Sequence, residues 1–308
     1  PGFGRGWGRA GGVSGNYALV AAEQGGLIVA DISNPAAPKR AGGYDTDGFA
    51  YGVAVHGTVA YVAAGDGGLQ VIDISNPTAP RRMGGYDTSG CAMGIALAGN
   101  FAYVAAWDAG LQVIDISNPD APRRVGGYGA SKRVGGVAVA GNYAYVADEE
   151  MGLEVIDISN PATPQRVDGY GASGTAYGVA LSGNHAYVAN GSTGLQVLDI
   201  SNPTAVRHAG EVDTGGCARG LVLGGNLAFI ASGYAGLQVI DISDPAAPQR
   251  VGEYDTSGYA WGAALASNYV YVADGEAGLH VLDIGNPSAP QRVGGHGTSG
   301  YALGVERA

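Results

Sequence analysis

The ten residues GLQVIDISNP run from Gly68 to Pro77 and return unchanged from Gly110 to Pro119. Near copies fill five further places. Their shared aspartate falls at Asp31, Asp73, Asp115, Asp157, Asp199, Asp241 and Asp283, so every interval is 42 residues and none carries an insertion. A fixed period of this length marks a repeat architecture, in which one small unit is copied and stacked. One unit, read from Tyr51, is YGVAVHGTVAYVAAGDGGLQVIDISNPTAPRRMGGYDTSGCA. It contains four short runs rich in β-branched and aromatic residues. These are expected as strands A (Val53–His56), B (Val59–Ala63), C (Leu69–Ile74) and D (Arg81–Tyr86).

The residues between the runs support this division. Gly99-Asn100, Gly141-Asn142, Gly183-Asn184 and Gly225-Asn226 separate A from B and signal a two-residue hairpin. The Ser-Asn-Pro-x-x-Pro segment between C and D cannot extend a ladder, because proline has no N–H. Four antiparallel strands in each of seven units predict an all-β, seven-bladed β-propeller of 42-residue repeats, filling residues 1–308 as a single domain. In strand C, Leu69 and Val71 point to one face and Ile72 and Ile74 to the other, as expected of a sheet sandwiched between neighbours. Seven units leave 14 residues over. Both termini align with the start of strand A, so either 9–14 or 301–308 completes blade 1. Gly304 and Val305 match Gly52 and Val53 better than Ala10 and Gly11 do, which favours the C-terminus closing the ring. Closure removes two open sheet edges.

Composition narrows the function. The net charge is −11, with Lys39 and Lys132 the only lysines. That balance argues against nucleic acid, whose phosphates need a cationic face, and against anionic lipid. No apolar run approaches the ~18 residues of a membrane helix, so no membrane insertion is expected. The chain begins at Pro1 and shows no signal peptide, as expected of a processed or trimmed chain. Cys91 and Cys217 make no disulfide framework, and Asn190-Gly191-Ser192 is a short glycosylation-type triplet. The histidines His56, His185, His208, His280 and His296 occupy unrelated positions of the unit, so no zinc site is expected.

The core Leu69-Gln70-Val71-Ile72-Asp73, followed by Ile-Ser-Asn-Pro, resembles the LVIVD repeat, and the resemblance runs through all seven units. It implies a propeller and an extracellular or cell-surface setting. It implies almost nothing about activity, since fold does not carry function.

The seven aspartates read as structural. Counting along the C–D hairpin puts Asp73 opposite Arg82, and that position holds Arg40, Arg82, Arg124, Arg166, Arg250 and Arg292, with His208 in blade 5. A cross-strand Asp–Arg pair, or an aspartate accepting loop N–H groups, is therefore expected in nearly every blade.

Function is sought where the copies disagree. The A–B and C–D turns barely vary, whereas the D–A and B–C connections vary widely and share one face of a propeller. Two D–A positions read Phe49/Tyr51, Cys91/Met93, Arg133/Gly135, Thr175/Tyr177, Cys217/Arg219, Tyr259/Trp261 and Tyr301/Leu303. The B–C tips read Glu23-Gln24, Gly65-Asp66, Trp107-Asp108, Glu149-Glu150, Gly191-Ser192, Gly233-Tyr234 and Gly275-Glu276. Aromatic residues with arginine compose a recognition surface. Phe49, Tyr51, Trp107, Arg133, Tyr177, Arg219, Tyr234, Tyr259, Trp261 and Tyr301 are thus the candidate binding residues, for a protein or glycan partner. The same positions also suit a plugged channel or drift on exposed loops.

Two other function classes stay open: a hydrolase or lyase with a site at the channel mouth, and a structural part of a larger surface assembly. Against the enzyme, the inner strands begin YGVA, MGIA, GGVA, YGVA, RGLV, WGAA and LGVE, with Glu306 their only acid. A calcium site wants six to eight oxygen ligands, and the axis does not supply them. No Gly-x-Ser-x-Gly elbow is present. No cofactor is expected; the acidic B–C tips read as solvated charge, with loosely bound calcium as the alternative.

Overall fold

A computed structural model describes residues 15–129, 133–171 and 174–307. Its strands are numbered β1 (Tyr17–Ala21) to β28 (Gly304–Arg307) in chain order and form seven four-stranded sheets. Blade 2 shows the common plan: β4 (Gly52–His56), β5 (Val59–Ala63), β6 (Leu69–Asp73) and β7 (Arg81–Tyr86), paired antiparallel in sequence order. Strand A therefore starts one residue earlier than the sequence suggests, and strand C ends one earlier. Ile74 leaves the ladder, and its N–H donates to Thr58 O in the A–B turn at 2.9 Å.

The ring closes through the C-terminus. β28 pairs antiparallel with β1, with Val20 opposite Val305 and Ala21 opposite Gly304. It serves as strand A of blade 1, ahead of β2 (Leu27–Asp31) and β3 (Lys39–Tyr44). The N-terminal candidate, 9–14, lies outside the described residues.

Seven apolar clusters fill the seven blade junctions. Between blades 2 and 3, Tyr61, Leu69 and Val71 meet Ile95, Val104, Ile114 and Ile116. On the other side of blade 2, Val53, Val55, Ile72 and Ile74 meet Leu19 and Leu27 of blade 1. Alternate residues of one strand thus feed opposite junctions, so each sheet is apolar on both faces. The seventh cluster joins blade 7 to blade 1 through Ile28, Ile32, Tyr271 and Val281, so the modules form a closed ring with no open superhelix. The glycine that starts strand A lets the inner strands approach. A Cβ on Gly94 would lie 2.5 Å from Gly135 O, and one on Gly304 would lie 2.6 Å from Tyr51 O.

The Asp–Arg expectation needs correction. Asp73 faces Arg81, and Arg82 faces Ile72, because the register shifts between Val71 and Ile72. The same shift recurs in every blade, a β-bulge that adds one residue to strand D. Arginine occupies the position before in three blades, and two of them pair with the repeat aspartate: Asp73–Arg81 at 2.9 Å and Asp115–Arg123 at 2.8 Å, whereas Arg207 lies opposite Asp199 without an ion pair within 4.0 Å. Arg40, Arg82 and Arg292 donate from Nε to carbonyls of their own strand. Arg124, Arg166 and Arg250 reach Gln112, Glu154 and Gln238 on strand C. Arg82 also pairs with Asp47 at 2.6 Å.

The alternative role is common to all seven aspartates. Oδ1 of Asp31, Asp73, Asp115, Asp157, Asp199, Asp241 and Asp283 accepts the N–H two residues on, at 2.7–3.0 Å. This is the local turn bond that a short carboxylate favours. It starts the C–D loop in each blade.

Candidate binding site at the axial mouth

The residue before each strand A glycine points at the propeller axis. The seven are Tyr51, Met93, Gly135, Tyr177, Arg219, Trp261 and Leu303, one from each blade, and all seven line one cavity of about 440 Å³. Glu23, Trp107, Glu149 and Tyr301 complete its wall. The aromatic residues therefore surround a cavity at the mouth and do not plug it.

The B–C tips explain how the wall is continuous. The equivalent tip positions are Glu23, Gly65, Trp107, Glu149, Gly191, Gly233 and Gly275. Where the axial residue is a large aromatic, the tip of its blade is glycine. A Cβ on Gly65 would lie 3.1 Å from Tyr51 Cε2, one on Gly191 3.4 Å from Tyr177 Cε2, and one on Gly275 3.5 Å from Trp261 Nε1. Where the axial residue is Met93, Gly135 or Leu303, the tip carries Trp107, Glu149 or Glu23, and all three line the cavity. Large and small residues thus alternate between two loops to close one surface.

This arrangement strains the backbone at two tips. The glycines at 65, 191, 233 and 275 have φ of +55° to +59°. Glu23 and Trp107 hold φ of +45° and +44° with a side chain present. Such a conformation in an L-residue costs roughly 1–2 kcal/mol.

Arg219 organises one side of the mouth. Its Cζ lies 3.9 Å from the Tyr177 ring centre, 4.8 Å from that of Trp261 and 5.7 Å from that of Tyr259. Its Nε donates to Tyr259 Oη at 3.1 Å. Burial is the largest single influence and works against the charge, but the hydrogen bond to Tyr259 and the charge interactions with Cys217, Tyr177 and Tyr259 together outweigh it and hold the guanidinium above its ordinary pKa. Tyr259 packs against Trp261 and takes Tyr234 edge-on, both at 4.8 Å between ring centres. Burial raises the Glu149 carboxyl, while Arg133 and Arg219 pull it back down. Desolvation likewise raises the Tyr51 and Tyr177 hydroxyls.

Six of the ten candidate residues read from sequence line the cavity: Tyr51, Trp107, Tyr177, Arg219, Trp261 and Tyr301. Tyr259 and Tyr234 stand behind them in the aromatic stack. Phe49 and Arg133 are exposed on the rim, outside the cavity wall. Sequence reasoning took Glu23 and Glu149 as solvated tip charges, and the structure puts both in the wall. The large residues at otherwise glycine tips were the signal available for them.

Cys91 and Cys217 are free thiols. Asp66, Asp87 and Asp108 border a separate cavity of about 560 Å³ with Cys91 and Trp107. Among the described residues, no group of three or more His, Cys, Asp or Glu side chains is placed to hold a metal ion.

Several solved structures resemble this one in fold. A functionally unknown protein from Desulfotomaculum acetoxidans superposes with a TM-score of 0.79 at 12% identity, covering 95% of this chain and 99% of that one. The computationally designed Ika8 protein gives 0.67 at 16% identity, over 96% and 89%. Apo AztD from Citrobacter koseri gives 0.62 at 14%, over 98% and 97%. At these identities the likeness concerns fold alone. Comparison with curated proteins gives no match. The LVIVD repeat model matches residues 11–46, 47–88, 89–129, 132–170, 173–214, 215–256 and 257–298. With nearly the whole chain covered by seven consecutive matches, the protein belongs to the LVIVD repeat family.

Proposed function

We propose that this propeller is a recognition module at the cell surface or outside the cell, which binds a partner through the D–A/B–C face and anchors it in the axial cavity. One observation carries the reading. Seven otherwise repetitive blades place six different residue types at seven equivalent positions around one cavity, and two tips accept left-handed backbone to supply its wall. Strained backbone in a cavity wall is a feature of functional sites. The volume, about 440 Å³, lies in the range of ligand pockets. The extracellular setting rests on the family resemblance.

A protein fits the cavity better than a glycan. Among the described residues, the wall is aromatic and aliphatic, with two carboxylates and one guanidinium and no side-chain amide. Sugars need several fixed donors and acceptors, whereas a protein can insert a single apolar anchor. The experiment is parallel screening of the immobilised chain on peptide and glycan arrays, with Trp261→Ala and Tyr259→Ala beside the wild type. Peptide binding that falls at least tenfold in Trp261→Ala is expected. Binding indifferent to both replacements, in variants with unchanged melting temperature, would remove this face from recognition. Selective glycan binding that is lost in the variants would keep the face and change the partner.

A further inference from the structure

Among the described residues, Arg219 is the one cation in the wall of the axial cavity. Its orientation is fixed by the Tyr177 and Trp261 rings and by the bond from Nε to Tyr259 Oη. Among the described residues, none of the ion pairs within 4.0 Å includes it. The remaining N–H groups on Nη1 and Nη2 have no acceptor among those residues either. Glu23 and Glu149, the acids of the wall, stand two blades away on either side, with Trp261 and Tyr177 between. A half-buried guanidinium that is stacked and oriented, and whose charge Glu149 feels only from beyond ion-pair distance, is a preformed fork for a carboxylate. An ammonium ligand suits this cavity poorly, because the guanidinium already covers the Tyr177 and Trp261 faces that a cation would use. Across the cavity, Tyr51, Met93, Trp107 and Leu303 offer an apolar wall.

We propose that the axial cavity receives a carboxylate joined to an apolar body, with the carboxylate on the Arg219 guanidinium and the body against Tyr51, Met93, Trp107 and Leu303. The proposal rests on reading the axial cavity as the binding site. Two sources share this chemistry: a small free acid, and the C-terminal residue of a peptide.

The test uses the emission of Trp107 and Trp261, which both line the cavity. The whole chain is titrated with 3-phenylpropionate, 3-phenylpropionamide, phenyltrimethylammonium, and the tripeptide Ala-Ala-Phe as free acid and as amide. Saturable change with the acids is expected, at least tenfold tighter than with the matching amides. Arg219→Gln keeps a planar polar group and removes the charge, and it should erase the preference for acid over amide. Arg219→Lys should keep part of it. Tighter binding of the tripeptide acid identifies a chain end, and tighter binding of 3-phenylpropionate identifies a small acid; either supports the proposal. Equal affinity for acid and amide, preference for the ammonium probe, or an Arg219→Gln variant that still prefers acids would overturn it. So would the absence of a saturable response to either acid. An ammonium preference would leave the site itself standing. Array binding that Trp261→Ala does not change would remove the site as well.

Discussion

The Asp168 carboxylate accepts the backbone N–H of Val206 across the junction of blades 4 and 5, at 2.6 Å from Oδ2 to N. Both residues break the repeat. Six blades have glycine where blade 4 has Asp168, and six have proline where blade 5 has Val206. In those blades the glycine is required by close packing: a Cβ there would lie 2.1–2.5 Å from a proline carbonyl of the next blade. Replacing proline by valine exposes an N–H, and the neighbouring departure supplies its acceptor. Val206→Pro or Asp168→Gly alone should cost about 1 kcal/mol, since each strands one partner. The double variant restores the common pair and should be as stable as wild type or better, because proline also restricts the unfolded chain. Denaturant unfolding of the four proteins measures the coupling. Additive losses would show that the two departures are independent.

That pair marks the limit of what the repeat reveals. Period, blade number, strand order and closure through Gly304 and Val305 were legible, because they depend on spacing and on a two-sided apolar pattern. The strand D bulge was not. Met83 adds one residue to its strand, and nothing in the spacing distinguishes a six-residue loop from a seven-residue one. At the site, the variable residues Tyr51, Tyr177, Arg219 and Trp261 were legible as a set. The part played by Glu23 and Glu149 was not, since a tip charge looks solvated until its distance from the axis is known.

The repeat aspartate should matter more than its arginine. Arg81 is 79% exposed in its pair with Asp73, so Arg81→Ala should cost under about 1 kcal/mol. Asp73→Ala also strands the Ser75 N–H, and should cost about 1–2 kcal/mol. The pH dependence has a definite sign. Hydrogen bonds from Ser117, then the bond from Arg123, depress the Asp115 carboxyl to about 2. Its stabilisation is complete above the unfolded value of ~3.9 and is lost as pH falls through about 2. Unfolding curves for Asp115→Asn and wild type should therefore converge in acid. A gap that persists at low pH would show that the carboxylate charge is not responsible.

Asp274 works in the opposite sense. Blade 7 buries it beside His280, with Oδ2 3.5 Å from Nε2, and Thr256 donates to Oδ1 at 2.6 Å. Burial raises the Asp274 carboxyl to about 6 and depresses His280 to about 4. A raised carboxyl weakens the folded state above its folded pKa, and the penalty disappears below the unfolded value of ~3.9. Asp274→Asn keeps an acceptor for Thr256 and removes the charge. It should stabilise by roughly 1–3 kcal/mol at pH 8, where His280 is neutral in both states, and the gain should vanish near pH 4. Melting temperatures at the two pH values decide the matter. Equal gains at both would assign the effect to packing.

Left-handed backbone separates strain kept for a site from strain that serves nothing evident. Ser267 holds φ of +54° in the A–B turn of blade 7, where four blades place a Gly-Asn glycine. Glu23 holds φ of +45° at the cavity, where four other tips are glycine. Either residue changed to glycine should stabilise the chain by about 1 kcal/mol, because glycine adopts this conformation freely. The consequences at the mouth should differ. Ser267→Gly leaves the cavity wall intact, so partner binding should not change. Glu23→Gly opens the wall beside Leu303, so a partner anchored there should dissociate faster despite the firmer fold. If Glu23→Gly binds as wild type does, its strain is drift, like that of Ser267, and the wall is built by the other residues of the ring.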